Sequence, residues 1–199
     1  MTTAVPLPAQ RPIVLADVLG RSRTRDAVLV LTAALFTAAL AQIAIPVPGS
    51  PVPITGQTLA VVLTAAALGP HRGLAGQGLY LLLGAVGLPF YSEASGGFEV
   101  IAGATGGYLI GFLPAAYLIG LAARHQLDRA PWKALPLFIA GQAIIFAVGV
   151  PWLAVTADLS ASAALDAGFY PFVLGGLIKA AVAGVVLPGL WKLTDRTSH

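Results

Sequence analysis

Apolar residues run along this chain in long, nearly unbroken stretches, and the breaks between them hold proline, glycine and basic residues. A helix needs roughly 17–25 apolar residues to cross the hydrocarbon of a bilayer. Six segments approach that pattern: residues 27–46, 54–69, 73–90, 101–123, 134–155 and 168–191. The second is short and the third is rich in glycine. Each is apolar on all sides, without an amphipathic stripe, which predicts spanning helices rather than helices lying on a surface. Between the first two, Pro46, Pro48, Pro51 and Pro53 exclude helix, because proline fixes φ and removes a donor, and they predict a stiff extended hairpin. Gly69, Pro70, His71 and Arg72 predict a tight turn.

Composition agrees with the pattern. Hydrophobic residues make up 57% of the 199 and charged residues only 10%, with a mean hydropathy of +0.86. A soluble domain carries about 25% charged residues, so lipid must serve as solvent for most of the exterior. Cysteine is absent, which excludes a disulfide framework and thiolate metal sites. The first 26 residues contain arginines and prolines but no apolar core of the kind a cleavable signal peptide needs.

Basic residues orient the segments. With the N-terminus inside, the cytoplasmic pieces hold Arg11, Arg21, Arg23, Arg25, Arg72, Arg124, Arg129, Lys133, Lys192 and Arg196, ten of the eleven Lys and Arg. The outer loops hold Glu93, Glu99, Asp158 and Asp166 and no basic residue. The expected fold is therefore an all-α integral membrane protein, a bundle of six transmembrane helices with both termini cytoplasmic. Its parts are a cytoplasmic N-terminal segment (1–26), a six-helix transmembrane domain (27–191) and a cytoplasmic tail (192–199). The formal charge of +3 belongs to these orienting flanks, and with no aromatic interleaving or groove-reading motif it does not point to nucleic acid.

The eleventh basic residue, Lys179, lies inside the last apolar segment. A lysine at the bilayer centre costs about 2.5–3.5 kcal/mol on insertion scales, and no acidic residue lies within neighbouring helix turns. It could snorkel to the interface on its flexible stem, or it could be the counter-charge for an anionic ligand entering from outside. Gly175 and Gly176 favour the second reading by allowing close approach. A helix starting only near Gly175 would add its positive dipole end.

Catalytic chemistry is missing. His71, His125 and His199 fall in turns or the tail, and no zinc motif or phosphate-cradling loop occurs. We expect no enzyme activity, no metal and no cofactor, and we expect the energy for any transport to come from another subunit. Small residues four apart (Gly103, Gly107, Gly111 and Ala115; Gly176, Ala180 and Gly184) predict close helix packing. On the first helix, Ala34 and Ala38 have the same spacing and could instead meet a partner subunit.

Four runs carry a resemblance: Pro51-Val52-Pro53-Ile54-Thr55-Gly56-Gln57-Thr58-Leu59, Tyr80-Leu81-Leu82-Leu83-Gly84-Ala85-Val86-Gly87-Leu88-Pro89, Thr105-Gly106-Gly107-Tyr108-Leu109-Ile110-Gly111-Phe112 and Leu177-Ile178-Lys179-Ala180. In that order and spacing the chain resembles the BioY family, the biotin-specific substrate-binding (S) subunits of energy-coupling-factor (ECF) transporters. The resemblance implies a six-helix bundle with an outward-opening pocket for biotin. It also implies a transmembrane coupling (T) subunit and two ATPase subunits as partners, a place in the bacterial plasma membrane, and the small residues Ala34 and Ala38 as the contact to the coupling subunit. Lys179 matches the family's lysine near the ligand.

Two positions depart from the family pattern. Gly176 holds the place of an acid, and Ser95 that of an arginine. Losing both members of a possible ion pair strands neither charge. The departures leave room for an S subunit serving another anionic vitamin, and a membrane scaffold without a ligand is the reading from a different class. Biotin needs apolar walls, hydrogen-bond partners for its ureido group and a cation for its carboxylate. Lys179 is the candidate cation. The polar candidates are Tyr80, Ser92, Glu93, Ser95, Thr105, Tyr108 and Gln142, with Trp152, Phe90 and Tyr91 as walls. Residues 92–103 are the expected lid.

Overall fold

The computed structural model describes residues 13–20 and 22–197, with side chains to residue 194. Arg11, Arg21 and His199 lie outside the described residues, as does the side chain of Arg196. Helix α1 (Arg23–Ala41) starts at Ser22, whose Oγ accepts from the Arg25 amide at 3.1 Å. It ends where the chain enters the proline-rich segment. There β1 (Ala44–Ile45) pairs antiparallel with β2 (Ile54–Thr55), Ala44 opposite Thr55, so the expected extended hairpin forms. The remaining helices are α2 (Gln57–Leu68), α3 (Pro70–Ala85), α4 (Phe98–Ala102), α5 (Gly106–Arg124), α6 (Pro131–Thr156), α7 (Ala161–Gly168) and α8 (Tyr170–Thr197).

Four helices, α1, α5, α6 and α8, are long and apolar enough to cross a membrane among the described residues. The second expected span is the shortest of the main helices. Its 12 residues rise only about 18 Å, against about 30 Å of hydrocarbon. Ala60, Val61, Val62, Ala65 and Ala66 are fully buried. All-round apolarity here reflects a helix enclosed by other helices, a pattern that sequence alone cannot separate from lipid exposure. The fourth expected span is also redrawn. Residues 101–123 join the end of α4 to α5 across a break at Gly103–Thr105, where the Gly103 carbonyl accepts from Trp152 Nε1 at 2.9 Å. At the expected turn before α3, Gly69 alone takes the turn conformation (φ +82°), while Pro70 already opens the helix, where its missing N–H is harmless.

Small residues set the closest seams. A side chain on Gly107 would collide with Trp152, and one on Gly111 would come within 3.1 Å of the Ile145 backbone, so α5 and α6 meet almost backbone to backbone. Gln77, fully buried, joins three helices: its Nε2 donates to Thr37 Oγ1 and to Thr64 Oγ1, each at 3.1 Å. Ala34 and Ala38 belong to this interior. Ala34 is 0% exposed and Ala38 7% within the chain. The outward face of α1 carries Val28, Leu31, Leu35 and Phe36 instead.

One end of the bundle gathers ion pairs. Arg72 donates to Asp17 Oδ1 at 3.2 Å and sits 3.3 Å from Asp26 Oδ1, which Arg25 also holds at 2.6 Å. Arg124 and His71 line the same small polar cleft as Arg72 and Asp17. Nearby in the chain order, the loop after α5 sends Asp128 into full burial, where its Oδ2 accepts from Trp191 Nε1 at 2.7 Å. Arg129 stacks over the Trp191 ring at 4.0 Å. Burial pushes the Asp128 carboxyl above the usual carboxylate range, against the opposing pull of the Trp191 hydrogen bond.

Candidate functional site: a cavity with an unneutralised lysine

The start of α2, the loop before α4, and the helices α5, α6 and α8 enclose a cavity of about 630 Å³, part of it open to solvent. Each element contributes for a local reason. The hairpin ends at Thr55, and Gly56 turns the chain into α2 with its amide donating to the Leu40 carbonyl at 3.1 Å. That turn leaves the Thr55 carbonyl outside any helical ladder. Lys179 takes it: Nζ donates to Thr55 O at 2.6 Å and to Thr58 Oγ1 at 3.1 Å. An ammonium has three donors, and no carboxylate pairs with Lys179 among the described residues. Two neutral acceptors orient the charge without cancelling it. Because α8 begins at Tyr170, Lys179 lies in the helix's third turn rather than at its N-terminus, so the dipole argument for an anion does not apply.

The walls are mostly apolar: Leu109 and Phe112 from α5, Ile145 and Phe146 from α6, Phe172 from α8. Their rings touch edge-on or tilted, with Tyr108 at 6.2 Å from Phe146 and 6.5 Å from Phe172. A polar layer closes the other side. Thr55 Oγ1 donates to Gln57 Oε1 at 2.7 Å, and Gln57 Nε2 donates in turn to the Tyr80 hydroxyl. Tyr91 lines the cavity, stacks edge-on against Tyr80 at 5.6 Å and donates its hydroxyl to the Leu81 carbonyl at 2.6 Å. Tyr91 lies in the loop, and burial raises its phenol to about 12. That keeps it neutral at physiological pH.

The segment from Ser92 to Gly103 contributes Ser92 and Val100 to the cavity lining. It is anchored rather than free: Gln42 at the end of α1 donates to the Tyr91 carbonyl at 3.1 Å and accepts from the Ala94 amide at 2.9 Å. Glu93 and Ala94 both have φ near +55° (58° and 54°), a conformation that non-glycine residues seldom hold without such support.

Of the sequence-derived candidates, Lys179, Gln142, Tyr108, Thr105, Ser92, Tyr91 and Gly176 come together around the cavity. Glu93 and Ser95 lie in an adjoining cleft that shares Ser92 and Thr105 with the cavity. Tyr80 sits one layer behind Gln57, Phe90 packs on the core, and Trp152 is occupied at Gly103. The Tyr108 hydroxyl is likewise committed, to the Gly168 carbonyl at 2.9 Å. Sequence reasoning missed Thr55, Gln57 and Thr58, although three polar residues at the mouth of an apolar segment were a visible signal. The aromatic walls Phe112, Phe146 and Phe172 carried none, since they read as ordinary core residues.

The lining residues include no carboxylate, thiol or imidazole among those described, and no group of His, Cys, Asp and Glu there could hold a metal. The arrangement suits reversible binding of a small molecule with an apolar body and an anionic group.

Comparison with known proteins gives a consistent answer. The model of the BioY family matches residues 10–196. The biotin transporter BioY of Thermotoga maritima is 41% identical over 164 residues, covering 82% of this chain and 95% of that protein. The biotin transporter BioY2 of Lactococcus lactis is 36% identical over 173 residues, covering 85% and 92%. Among solved structures, the crystal structure of the S-component for biotin from an ECF-type ABC transporter superposes with a TM-score of 0.77 at 25% identity, covering 85% of this chain and 92% of that one.

Proposed function

The chain belongs to the BioY family, and from that premise we propose that it is the biotin-binding S component of an ECF-type transporter, a transport protein and not an enzyme. The observation that carries the assignment is Lys179, an ammonium held by two neutral oxygens at the wall of an otherwise apolar cavity. Biotin's carboxylate supplies the missing charge, and its fused rings fit among Phe112, Phe146, Phe172 and Tyr108. Ser92, Thr105, Gln142 and Gly176 complete the lining, Tyr80 supports it through Gln57, and Trp152 holds the break before α5. Glu93 and Ser95 belong to the lid over the mouth, the role we assign to residues 92–103.

The protein works within a larger assembly. It has no nucleotide-binding loop, so the energy comes from two ATPase subunits acting through a transmembrane coupling subunit. In the plasma membrane, α2 and α3 complete six helical layers with the four long helices, and both termini face the cytoplasm. The ion pairs of Arg25, Asp26, Arg72 and Asp17 gather at the end that the positive-inside rule assigns to the cytoplasm. Segments 1–26 and 192–199 are then cytoplasmic flanks of one substrate-binding domain, residues 27–191.

Equilibrium binding of labelled biotin to the purified protein in detergent tests the assignment, for wild type and Lys179→Ala. Binding competed by unlabelled biotin, and weakened at least tenfold (about 1.4 kcal/mol) by the substitution, establishes ligand and counter-charge together. A folded wild type that ignores biotin but binds another anionic vitamin would overturn the biotin assignment and keep the anion site.

A further inference from the structure

One polar group in the cavity is left without work. Gln142 is 6% exposed, lines the cavity from the α6 wall, and its Nε2 has no hydrogen-bond partner. A buried donor without an acceptor costs about 1–3 kcal/mol, and buried polar groups are nearly always satisfied. Four polar side chains around it are engaged. Lys179 holds Thr55 and Thr58, Gln57 holds Tyr80 and Thr55, Tyr108 holds Gly168, and Tyr91 holds Leu81.

Space is kept for a partner of Gln142. Across from it on α8 stands Gly176, where an added Cβ would reach only ordinary contact at 3.9 Å from Gln142 Cδ. A half-open apolar groove between α6 and α8, lined by Phe146, Phe169 and the exposed Ile139 and Leu177, meets the cavity at Gln142 and Gly176. The carboxamide therefore stands where the cavity and the groove meet, with no acceptor for its Nε2 among the described residues.

We infer that Gln142 is the specificity-determining residue of the site, its Nε2 donating to the carbonyl oxygen of a ligand's neutral cyclic urea. This rests on the biotin-binding reading and narrows it to one contact. A neutral amide suits a neutral urea: it donates to the carbonyl at no charge-burial cost. It is indifferent to the ligand's carboxylate, which needs a cation. A carboxylate in its place accepts only. It would repel the urea carbonyl and favour a cyclic guanidine, in which that oxygen is replaced by a protonated nitrogen.

The test compares biotin with 2-iminobiotin, its cyclic-guanidine analogue, by equilibrium binding and by ligand-induced shift in melting temperature. Three proteins are used: wild type, Gln142→Met and Gln142→Glu. Wild type should prefer biotin. Gln142→Met keeps the side-chain volume and removes the orphaned donor, so the ligand-free protein should melt no lower, while biotin affinity falls at least tenfold. Gln142→Glu should move the biotin-to-iminobiotin affinity ratio at least tenfold toward iminobiotin, a reversal that mere loosening of the cavity cannot produce. If both variants bind biotin within twofold of wild type, or if Gln142→Glu weakens both ligands equally, the inference is overturned while the biotin assignment stands. If wild type binds neither ligand, the assignment itself fails, and with it this inference.

Discussion

Two cations of this protein are held in opposite ways. Arg72, at the basic end, lies between two carboxylates, 3.2 Å from Asp17 and 3.3 Å from Asp26. Lys179, at the cavity, has only the Thr55 carbonyl and the Thr58 hydroxyl among the described residues. The first charge is cancelled inside the chain, so it can fasten the segment before α1 to α3 and nothing more. The second is positioned but left with its charge, and a charge that leaves water needs a counter-ion. A site for an anion is thus recognisable by what the fold withholds: acceptors enough to aim the ammonium, and no carboxylate to neutralise it.

The comparison is broken most forcefully at Lys179. Replacing it with methionine should reduce biotin affinity by at least tenfold, since hydrogen bonds to charged groups are worth about 1.5–3 kcal/mol. The ligand-free protein should melt at or above the wild-type temperature, because an uncompensated charge is gone; titration calorimetry and thermal unfolding in detergent report the two halves. A marked fall in ligand-free stability would show instead that the lysine is a structural strut.

Arg72→Ala should do the reverse. The Arg72–Asp17 pair is partly exposed, with side-chain exposures of 20% and 11%, so its loss should cost about 0.5–1 kcal/mol of stability and leave biotin affinity within twofold. A loss of affinity comparable to that of the lysine variant would mean that the two ends are coupled. Thr58→Val sharpens the picture more gently. It removes one of the two groups aiming Nζ and should weaken biotin by a few fold, consistent with about 0.5–1 kcal/mol for one hydrogen bond; an unchanged dissociation constant would show that the Thr55 carbonyl alone suffices.

The smallest effect is a pH dependence. Asp128 has its carboxyl raised by burial, so the folded state binds its proton more readily than the unfolded chain does. Its contribution to stability is present below the unfolded pKa and is lost as pH rises through the higher folded value. Asp128→Asn keeps an oxygen for Trp191 and removes this titration. Melting curves between pH 4 and 7 should therefore show the variant gaining on wild type as pH rises. A constant difference across that range would contradict the raised carboxyl.

Much of the molecule follows from the order of its residues. Long apolar runs predict helices for a lipid solvent, the alternating prolines predict the hairpin, and Lys179 stands out because nothing nearby in the sequence can neutralise it. These are local facts, set by backbone chemistry and by the cost of placing charge in hydrocarbon. Four of the six expected spans have the length to cross a membrane, and the glycine spacing on α5 foretold the seam with α6.

Other features depend on which surfaces meet, and no local pattern encodes them. The enclosure of α2 by its neighbours is one such feature. Ala34 and Ala38 are buried on the same helix whose Thr37 accepts from Gln77. The acceptors for Lys179 come from residues 124 and 121 positions away. The isolation of Gln142 arises because Lys179, Gln57, Tyr108 and Tyr91 bond to partners other than its amide. Apolarity can be summed along a chain, but hydrogen-bond satisfaction is a property of the assembled neighbours. The helices were therefore readable from the sequence, and the roles of the polar groups between them were decided by the tertiary structure.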